Sequence, residues 1–585
     1  MKTAVVEAIR RLQQNRVAAG VVLLTILTAH LSLVLALNPP SLFGLSQDDT
    51  LYFSSAKALS EGRGYILPSL PGTPAATKYP VLYPWLLSLV WKLDANFPAN
   101  LWGAVALTYA FSVAAIVLTY LFCRSLEVPR LQSLGVTGFF ALHPTFIFYS
   151  ARVMTDVPFT ALALCLLVIA RQALRKPSLG WSCLAGIACS LCIAMRLAGI
   201  AFLGAILLVF LSSRVWRRAL VFFASCAPGI AYFCYQTWMR LPSPPPAPFT
   251  PDLPGWQQTW FYYTSYTSFR HLDSPNLHAA ATLFLNQILY LISAIAGYFT
   301  APLCEGNIAL WFLGTALIGA LIVLATAQCV TEKVFLLEIG MFVIYAGLLS
   351  AWDYVEWPRF LLPFLPLIVM MVTSGVWRQY KALRVPSTGW VQTAFLALFL
   401  AGAIGMSSAV AWNFFREQRL VMPEVRFARE ITMPEKLEAY DWIRKHVEPG
   451  ERLIATEDGL AYLYTGRTFI NFTVLMPYDV YDQPRLTRDL DHMSDVGRAV
   501  GARYWVITTG DSFTQLQAMA EPLKKRLDQW GTSLPTRFRS SSGNVRVLAL
   551  DCASLTGSVA AERQKEPAGS ATSTIPSVSR PCPKG

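Results

Sequence analysis

Two adjacent aspartates, Asp48 and Asp49, are the residues of this 585-residue sequence best suited to chemistry. They lie in a polar stretch that begins after a long apolar segment, SQDDTLYFSSAKALSEGRGY at 46–65. Neighbouring carboxylates repel each other, and near a low-dielectric lipid phase one of them can hold a raised pKa, as a general base requires. A structural interpretation competes, because either aspartate would cap a helix running through TLYFSSAKALSEG. Both interpretations stay open, since a cap also fixes its side chain in place.

The composition excludes several classes of protein. Hydrophobic residues make up 54% of the chain and charged residues 14%, against about 25% charged residues in a soluble domain. The mean hydropathy is +0.43. These values exclude a disordered chain, a collagen-like chain and a small disulfide scaffold, and they indicate a polytopic α-helical membrane protein. The net charge of +13 does not indicate a nucleic-acid partner, because the basic residues cluster between apolar segments, as membrane topology explains.

Eleven apolar segments are candidates for membrane-spanning helices, which need about 20 mostly apolar residues. They are 17–37, 100–122, 131–149, 156–171, 180–195, 198–213, 219–239, 308–330, 334–351, 360–377 and 390–412. Two further apolar segments, 79–93 and 283–303, are predicted to lie on or dip into the outer leaflet. The first is short for a span, and a crossing by the second alone would reverse the orientation of every later loop.

The distribution of Lys and Arg predicts the orientation. The loops on the N-terminal side hold 16 of these residues in 48 positions, and the opposite loops hold 9 in 146. By the positive-inside rule, residues 1–16 are cytoplasmic and the transmembrane domain 17–412 has outer loops at 38–99 and 240–307. The sequence therefore predicts a multi-pass protein of the cell inner (plasma) membrane, with its C-terminal part outside the cytoplasm.

The C-terminal part, from about residue 423, differs from the rest because short apolar segments alternate with polar ones. Four segments are typical of strands, namely 452–456, 468–471, 503–508 and 545–550, and three are typical of helices, namely 434–447, 486–500 and 512–530. Strands that alternate with helices predict a small extracytoplasmic α/β domain at 423–552. The segment 553–585 is rich in Ser, Ala, Pro and Gly and is predicted to be a disordered tail.

Motifs along residues 17–412 resemble those of one enzyme family. They are DDxxY at 48–52, ALxEGxGY at 58–65, KxPxxYP at 78–84, HP at 143–144, YSxRxMTD at 149–156, Arg196 and ExxRFLxP at 356–363. Their order and their shared placement on the outer face are similar to those of the polyprenyl-phosphate-sugar glycosyltransferases. These are the membrane enzymes of GT-C fold and of the glycosyltransferase family 39 type, which include protein O-mannosyltransferases and lipid A aminoarabinose transferases.

The sequence departs from the family pattern at three places. The family usually has Asp-Glu where this chain has Asp48-Asp49, and it usually has Tyr in place of Phe360. Lys-Pro-Pro is common where Lys78-Tyr79-Pro80 stands. The acidic function survives these changes, but the acceptor specificity of the family cannot be carried over.

The resemblance implies transfer of a sugar from a polyprenyl-phosphate carrier to a lipid, glycan or protein acceptor on the outer face. It assigns the general base to Asp48, with Asp49 as the second catalytic carboxylate. The donor and the acceptor are then the partners, together with membrane lipids. No cofactor is predicted, and dependence on a divalent metal is left open.

The resemblance also implies substrate-binding residues. Lys78, Arg196 and Arg359 lie on the same side of the membrane and are candidate phosphate ligands, or alternatively interfacial cations that snorkel. Asp156 would orient Arg152 or bind the acceptor, and otherwise it caps a helix beside Pro158. Glu356, in the late motif, completes the set of substrate-binding candidates.

A flippase or transporter of polar lipids is the alternative function. Transporters of this kind show paired halves and interrupted helices with charges near the midplane of the bilayer. The sequence shows no internal repeat, and its acidic residues lie in predicted outer loops. These features favour the enzyme.

Overall fold

The computed structural model describes residues 16–44, 47–176, 178–239, 277–300, 336–350, 357–382, 433–455, 457–470, 500–508 and 532–550, with isolated positions at 497 and 529. The chain divides into two compact units. One unit comprises Met1–Tyr65, Ala76–Leu241 and Ser265–Pro423, and the other comprises Ile66–Ala75, Pro242–Thr264 and Glu424–Gly585.

The described part of the first unit is helical. Its helices are α1 (Arg16–Ala36), α2 (Gln47–Ser60), α3 (Leu82–Leu93), α4 (Leu101–Ser125), α5 (Arg130–Leu142), α6 (Pro144–Ser150), α7 (Asp156–Arg175), α8 (Leu179–Met195), α9 (Ile200–Ser212), α10 (Trp216–Ser225), α11 (Ala227–Met239), α12 (Leu277–Thr300), α13 (Leu336–Ser350), α14 (Trp357–Phe360) and α15 (Leu365–Ala382). Short 3-10 turns lie at Pro39–Leu42, Leu197–Gly199 and Leu362–Phe364.

Helices α1, α4 and α7 are each long and apolar enough to cross a membrane. Two bent pairs reach the same length and hydropathy when each pair is one span: α5 with α6, bent by 58°, and α10 with α11, bent by 51°. Within the described residues this gives up to five spans, and α8, α9 and α13 are shorter apolar helices. The predicted spans 308–330 and 390–412 lie outside the described residues. The protein is a mostly helical membrane protein, as its composition predicts, and the number of eleven spans stays a prediction.

The bend between α5 and α6 has a local cause. Pro144 opens α6, and proline has no N–H with which to continue the hydrogen bonds of α5. The ring Nδ1 of His143 accepts a hydrogen bond from the backbone N–H of Thr145 at 3.3 Å, and so caps the new helix. The segment 131–149, predicted as one span, is therefore two helices with different directions.

Helix α3 is formed by most of the apolar segment 79–93, which was predicted to lie on or dip into the outer leaflet. It packs against α2, where the indole N–H of Trp91 donates to the carbonyl of Phe53 at 3.0 Å. Trp85, Leu89 and Leu93 are exposed, and their spacing of four residues places them on one face of the helix. An apolar exposed face on a twelve-residue helix is the pattern of a helix at the bilayer surface.

The second unit contains a five-stranded sheet with two described helices. The elements are α16 (Met433–His446), β1 (Arg452–Ile454), α17 (Asp458–Thr465), β2 (Phe469–Ile470), β3 (Ala502–Thr508), β4 (Thr536–Arg539) and β5 (Val545–Ala549). The strand order is β2-β1-β3-β5-β4. The strands β2, β1 and β3 are parallel, whereas β5 is antiparallel to both β3 and β4. The small C-terminal sheet predicted from the sequence is present.

The segment Ile66–Ala75 belongs to this second unit although it precedes the other described residues of the unit by more than 350 positions. The carbonyl of Ser69 accepts a hydrogen bond from the N–H of Phe469 in β2 at 2.7 Å. The hydroxyl of Ser69 donates to Asp458 at 2.7 Å, and Leu67 and Leu70 are buried. The segment is thus an integral part of the C-terminal unit.

Two described elements of this unit differ from the prediction. Strand β4 was not predicted, because its residues TRFR are mostly exposed and show no apolar alternation. Helix α17 was not predicted either, since it has only eight residues. The helix predicted at 434–447 is present as α16, whereas those predicted at 486–500 and 512–530 fall almost entirely outside the described residues.

Candidate active site

The two adjacent aspartates lie in the first turn of α2, where a helix favours negative charge. The side chain of Asp49 is 1% exposed and accepts a hydrogen bond from the backbone N–H of Gly44 at 3.2 Å. The side chain of Asp48 is 20% exposed. Asp48 is therefore the more accessible of the two carboxylates.

Arg359, in α14, connects α2 with the beginning of α7. Its Nη2 lies 3.3 Å from Oδ2 of Asp48, and its Nε lies 3.1 Å from Oδ1 of Asp156. The same oxygen of Asp156 lies 2.9 Å from Nη1 of Arg196. Asp156 is the first residue of α7 and is buried. One buried carboxylate thus holds two guanidinium groups, and one of these also reaches Asp48.

Arg152 pairs with the other aspartate. Its Nη2 lies 3.5 Å from Oδ2 of Asp49, and its guanidinium lies 5.2 Å from the centre of the Phe148 ring. The prediction that Asp156 orients Arg152 is therefore not matched. The two residues are close in sequence, but the first turn of α7 directs Asp156 towards the guanidinium groups of Arg196 and Arg359.

Lys78 lies before α3 and is 6% exposed, with its Nζ 5.1 Å from the centre of the Tyr79 ring. Its positive charge acts on the carboxylate of Asp48. Seven of the eight predicted site residues lie close together in the helical unit. Six of them form ion pairs with one another, and the seventh, Lys78, acts on Asp48 through its charge. The seven are Asp48, Asp49, Lys78, Arg152, Asp156, Arg196 and Arg359. Glu356 lies outside the described residues.

Tyr79 is a member of the site that the motifs did not identify. Its hydroxyl donates a hydrogen bond to Oδ1 of Asp48 at 2.5 Å. Its ring packs edge-to-face on Tyr52 at 4.7 Å, and its carbonyl accepts a hydrogen bond from the Tyr65 hydroxyl at 2.9 Å. The sequence did mark this position, because Tyr79 stands where the family that the motifs resemble commonly has proline.

The surroundings move the pKa values of the two aspartates in opposite directions. Burial raises the pKa of Asp49 to about 7, against the opposing effects of Arg152 and of the Gly44 N–H. Burial would also raise the pKa of Asp48, but the charges of Arg359 and Lys78 and the hydrogen bonds from Tyr79 and Arg359 outweigh it and hold that pKa below its ordinary value. At neutral pH Asp48 is ionised, whereas Asp49 is partly protonated.

The cluster has unpaired buried atoms and more cationic than acidic side chains among its described residues. Among the described residues, Oδ2 of Asp156, Oδ1 of Asp49 and Nε of Arg152 are buried and have no hydrogen-bond partner. Among the described residues, four cationic side chains face three carboxylates, one of which is partly protonated, so this part of the cluster has an excess of positive charge. Guanidinium groups bind phosphate with parallel hydrogen bonds, and such a site suits a phosphate group. Within the described part of the chain, no group of three or more His, Cys, Asp or Glu is placed to hold a metal ion.

One family model matches part of the chain. Residues 76–235 match the model of the dolichyl-phosphate-mannose-protein mannosyltransferase family. The matched segment includes Lys78, Arg152, Asp156 and Arg196, and it confirms the resemblance to glycosyltransferase family 39 that the motifs predicted. The match supports a general glycosyltransferase role in a membrane. No curated protein matches the chain.

Solved structures of similar architecture include those of two proteins. ArnT from Cupriavidus metallidurans, bound to undecaprenyl phosphate, is similar over 90% of this chain and 98% of its own, with 14% identity and a TM-score of 0.47. The oligosaccharyltransferase AglB from Archaeoglobus fulgidus, in complex with an inhibitory peptide and a dolichol-phosphate, is similar over 88% of this chain and 74% of its own, with 12% identity and a TM-score of 0.44.

Proposed function

We propose that this protein is an inverting glycosyltransferase of the inner (plasma) membrane. It moves a sugar from a polyprenyl-phosphate-linked donor to a lipid, glycan or protein acceptor on the outer face. The observation that carries the proposal is the position of Arg359, which contacts Asp48 and Asp156 at once. A cation suited to phosphate and a carboxylate suited to a base are in direct contact.

The donor explains why the site belongs to a membrane protein. A polyprenyl chain stays in the lipid, so its phosphate and the attached sugar carbon lie at the bilayer surface. Arg359 and Arg196 present a pair of guanidinium groups fixed by Asp156, and Lys78 adds a third positive charge. These three residues bind the phosphate and stabilise the charge that develops on it as the sugar leaves.

Asp48 acts as the general base. Its Oδ2 takes the proton as the acceptor O–H bond breaks, and the acceptor oxygen forms a new bond to the anomeric carbon with inversion. The bond between that carbon and the phosphate oxygen breaks, and its electron pair stays on polyprenyl phosphate, which gains one negative charge. The protein contributes a proton acceptor and positive charge, and no other reactant is needed.

Binding of the donor would also adjust the base. Without donor, Arg359 and Lys78 hold the pKa of Asp48 below its ordinary value, which makes it a weak base. A phosphate that engages these cations partly neutralises their charge. The pKa of Asp48 then rises, and the residue becomes a stronger base when donor is present.

Other residues position these groups. Asp156 fixes Arg196 and Arg359, and Arg152 holds Asp49 next to the base. Glu356, identified by the sequence motif alone, is a further substrate-binding residue. In the proposed topology the N-terminus is cytoplasmic and the domain 423–552 is extracytoplasmic, where it assists acceptor binding.

Binding of polyprenyl phosphate tests the proposal without knowledge of the acceptor. The full-length protein in detergent should be stabilised against heat by undecaprenyl phosphate and not by undecaprenol, which lacks the phosphate. Arg359→Ala and Lys78→Ala should lose most of this stabilisation, because each removes a phosphate ligand.

Arg63→Ala is the matched control, since it removes a cation from the same outer loop at an exposed position. It should keep the stabilisation seen with the wild type. Equal stabilisation by the phosphate and by the alcohol, or its retention in both Arg359→Ala and Lys78→Ala, would contradict the proposed phosphate site. A membrane assay with undecaprenyl-phosphate hexoses and pentoses, labelled in the sugar, then measures transfer.

A further inference from the structure

Asp48 is held on both of its oxygens, and by groups of different kinds. Oδ2 faces the guanidinium of Arg359 at 3.3 Å, which is a contact that a bound phosphate would compete for. Oδ1 accepts from the phenol hydroxyl of Tyr79 at 2.5 Å, the length expected when a hydroxyl donates to a carboxylate anion. Tyr79 has no charge that a phosphate would attract, so this second bond persists when the donor binds.

The phenol ring itself is fixed. Tyr79 is 6% exposed, and its ring is packed edge-to-face on Tyr52 at 4.7 Å. The Tyr65 hydroxyl holds its backbone carbonyl at 2.9 Å. Nζ of Lys78 lies 5.1 Å from the centre of the same ring, where the electron-rich face attracts a cation. One side chain therefore touches both the proposed base and a proposed phosphate ligand.

We propose that Tyr79 is a positioning residue that fixes the Asp48 carboxylate through Oδ1, leaves Oδ2 as the oxygen that takes the proton, and fixes Lys78 beside it. This inference rests on the proposed function. It adds a residue outside the motif positions that carry the resemblance, and it assigns a separate role to each oxygen of the base.

Among the described residues, the groups that act on the charge of Asp48 are Arg359, Lys78, Tyr79 and Asp49. The first three favour its ionised form, through positive charge or hydrogen bonds. Asp49 disfavours it when ionised, because like charges repel. Removing the Tyr79 hydroxyl must therefore raise the pKa of Asp48 and leave the other three groups in place.

Tyr79→Phe is the test, since it keeps the ring and removes only the hydroxyl. Transfer is followed in membranes with labelled undecaprenyl-phosphate sugars as donors. We expect kcat to fall about 10- to 100-fold, as for loss of a hydrogen bond to a charged group. The KM for donor should change little, and the acid limb of the kcat/KM profile should move to higher pH. The donor is a phosphodiester whose charge stays constant over this range, so the limb reports the enzyme.

Tyr235→Phe is the matched control, because it removes a phenol hydroxyl from a side chain of α11 in the same unit that is 57% exposed. It should leave the acid limb in place. In the Asp48→Asn background, Tyr79→Phe should add no further loss, because a residue that acts through Asp48 is not additive with it.

The outcomes separate this inference from the proposed function. If Asp48→Asn keeps wild-type transfer, the proposed base is wrong. If Asp48→Asn loses transfer while Tyr79→Phe has the wild-type kcat and acid limb, the base stands and the role of Tyr79 is refuted. A Tyr79→Phe defect that persists undiminished in the Asp48→Asn background, or an equal shift of the limb in Tyr235→Phe, also refutes it.

Discussion

Each unit contains a buried cluster of charged and polar side chains within its described residues. The cluster around Asp156 in the helical unit and the cluster around Glu435 in the C-terminal unit differ in how completely their atoms are paired. In the C-terminal unit, Glu435 is 3% exposed and accepts hydrogen bonds from the backbone N–H of Asn544 at 3.0 Å, from its side-chain amide at 2.7 Å and from the Ser540 hydroxyl. Lys436 lies 2.7 Å from Glu457 in the same unit. In the helical unit, Asp156, Asp49 and Arg152 each keep a buried atom without a hydrogen-bond partner among the described residues.

The difference in pairing distinguishes a cluster that stabilises the fold from a cluster that is suited to bind a ligand. Buried polar atoms in folded proteins are almost always paired, so a cluster that its own fold satisfies is accounted for by stability. Glu435 holds the turn between β4 and β5, and nothing more is required of it. A cluster with unpaired buried atoms and excess positive charge costs stability unless a ligand completes it. The comparison therefore favours the helical unit as the place of the proposed chemistry, with the assisting role proposed above for the C-terminal unit.

The largest effect expected from this comparison is on Asp48. Asp48→Asn keeps the shape of the side chain and removes the base, so transfer should fall by about 10²–10⁴-fold while the protein inserts and folds normally. Binding of undecaprenyl phosphate should remain. Rates are measured in membranes with labelled undecaprenyl-phosphate sugars.

Asp458→Asn is the matched control, because it changes a buried aspartate of the C-terminal unit whose partner is Ser69. It should alter stability and leave the rate per folded molecule near the wild-type value. Wild-type transfer by Asp48→Asn, or loss of transfer to every acceptor by folded Asp458→Asn, would reverse the assignment of chemistry to the helical unit.

A smaller effect, on stability alone, is expected at Glu435. Glu435→Gln replaces one acceptor oxygen by a donor facing the Asn544 amide, which should lower the free energy of unfolding by about 1–3 kcal/mol. Thermal unfolding of the purified protein measures this, and the rate per folded molecule should not change. Unchanged stability would show that the paired cluster does not contribute to the fold as described.

The smallest effect concerns Asp49 and its response to pH. Its pKa is raised from 3.8 to about 7 by burial, so the folded protein binds a proton there that the unfolded chain releases. Wild-type stability should then decrease as the pH rises from about 4 through 7. Asp49→Asn has no carboxylate to ionise, and its stability should depend less steeply on pH across this range, with a milder loss of transfer than Asp48→Asn.

Melting temperatures at several pH values between 5 and 8 check this expectation. Glu61→Gln, at an exposed position of the same loop, should keep the wild-type dependence. If Asp49→Asn shows the same slope as the wild type, Asp49 is ionised in the folded protein throughout this range.

The sequence predicted much of this picture for identifiable physical reasons. The membrane class follows from composition, and the strands of the C-terminal sheet follow from short apolar runs bounded by polar residues. Asp48 and Lys78 could be found because both lie in a loop where charge near lipid needs an explanation. The partners of Asp156 could not, because Arg196 and Arg359 reach it through tertiary packing. The sequence therefore indicated Arg152, a near neighbour in the chain, as the partner of Asp156.

Features without a local signal were missed. The hydroxyl of Tyr79 meets an aspartate 31 residues away, and no spacing rule predicts such a contact. Strand β4 is exposed and short, so its sequence carries no apolar alternation.

The bend after α5 was also missed, although the sequence did carry a signal for it. Pro144 interrupts the hydrogen bonds of a continuous span.

The segment Ile66–Ala75 has a consequence for how the C-terminal unit can be studied. Truncation of the chain after residue 423 would remove Phe469 and Asp458 and leave Ser69 and Leu70 behind without them. The stub would then present unpaired backbone and apolar side chains between Tyr65 and Lys78. Loss of sugar transfer in such a truncated protein would therefore reflect damage to the outer loop. To remove the C-terminal unit completely, Ile66–Ala75 must also be replaced by a short polar linker.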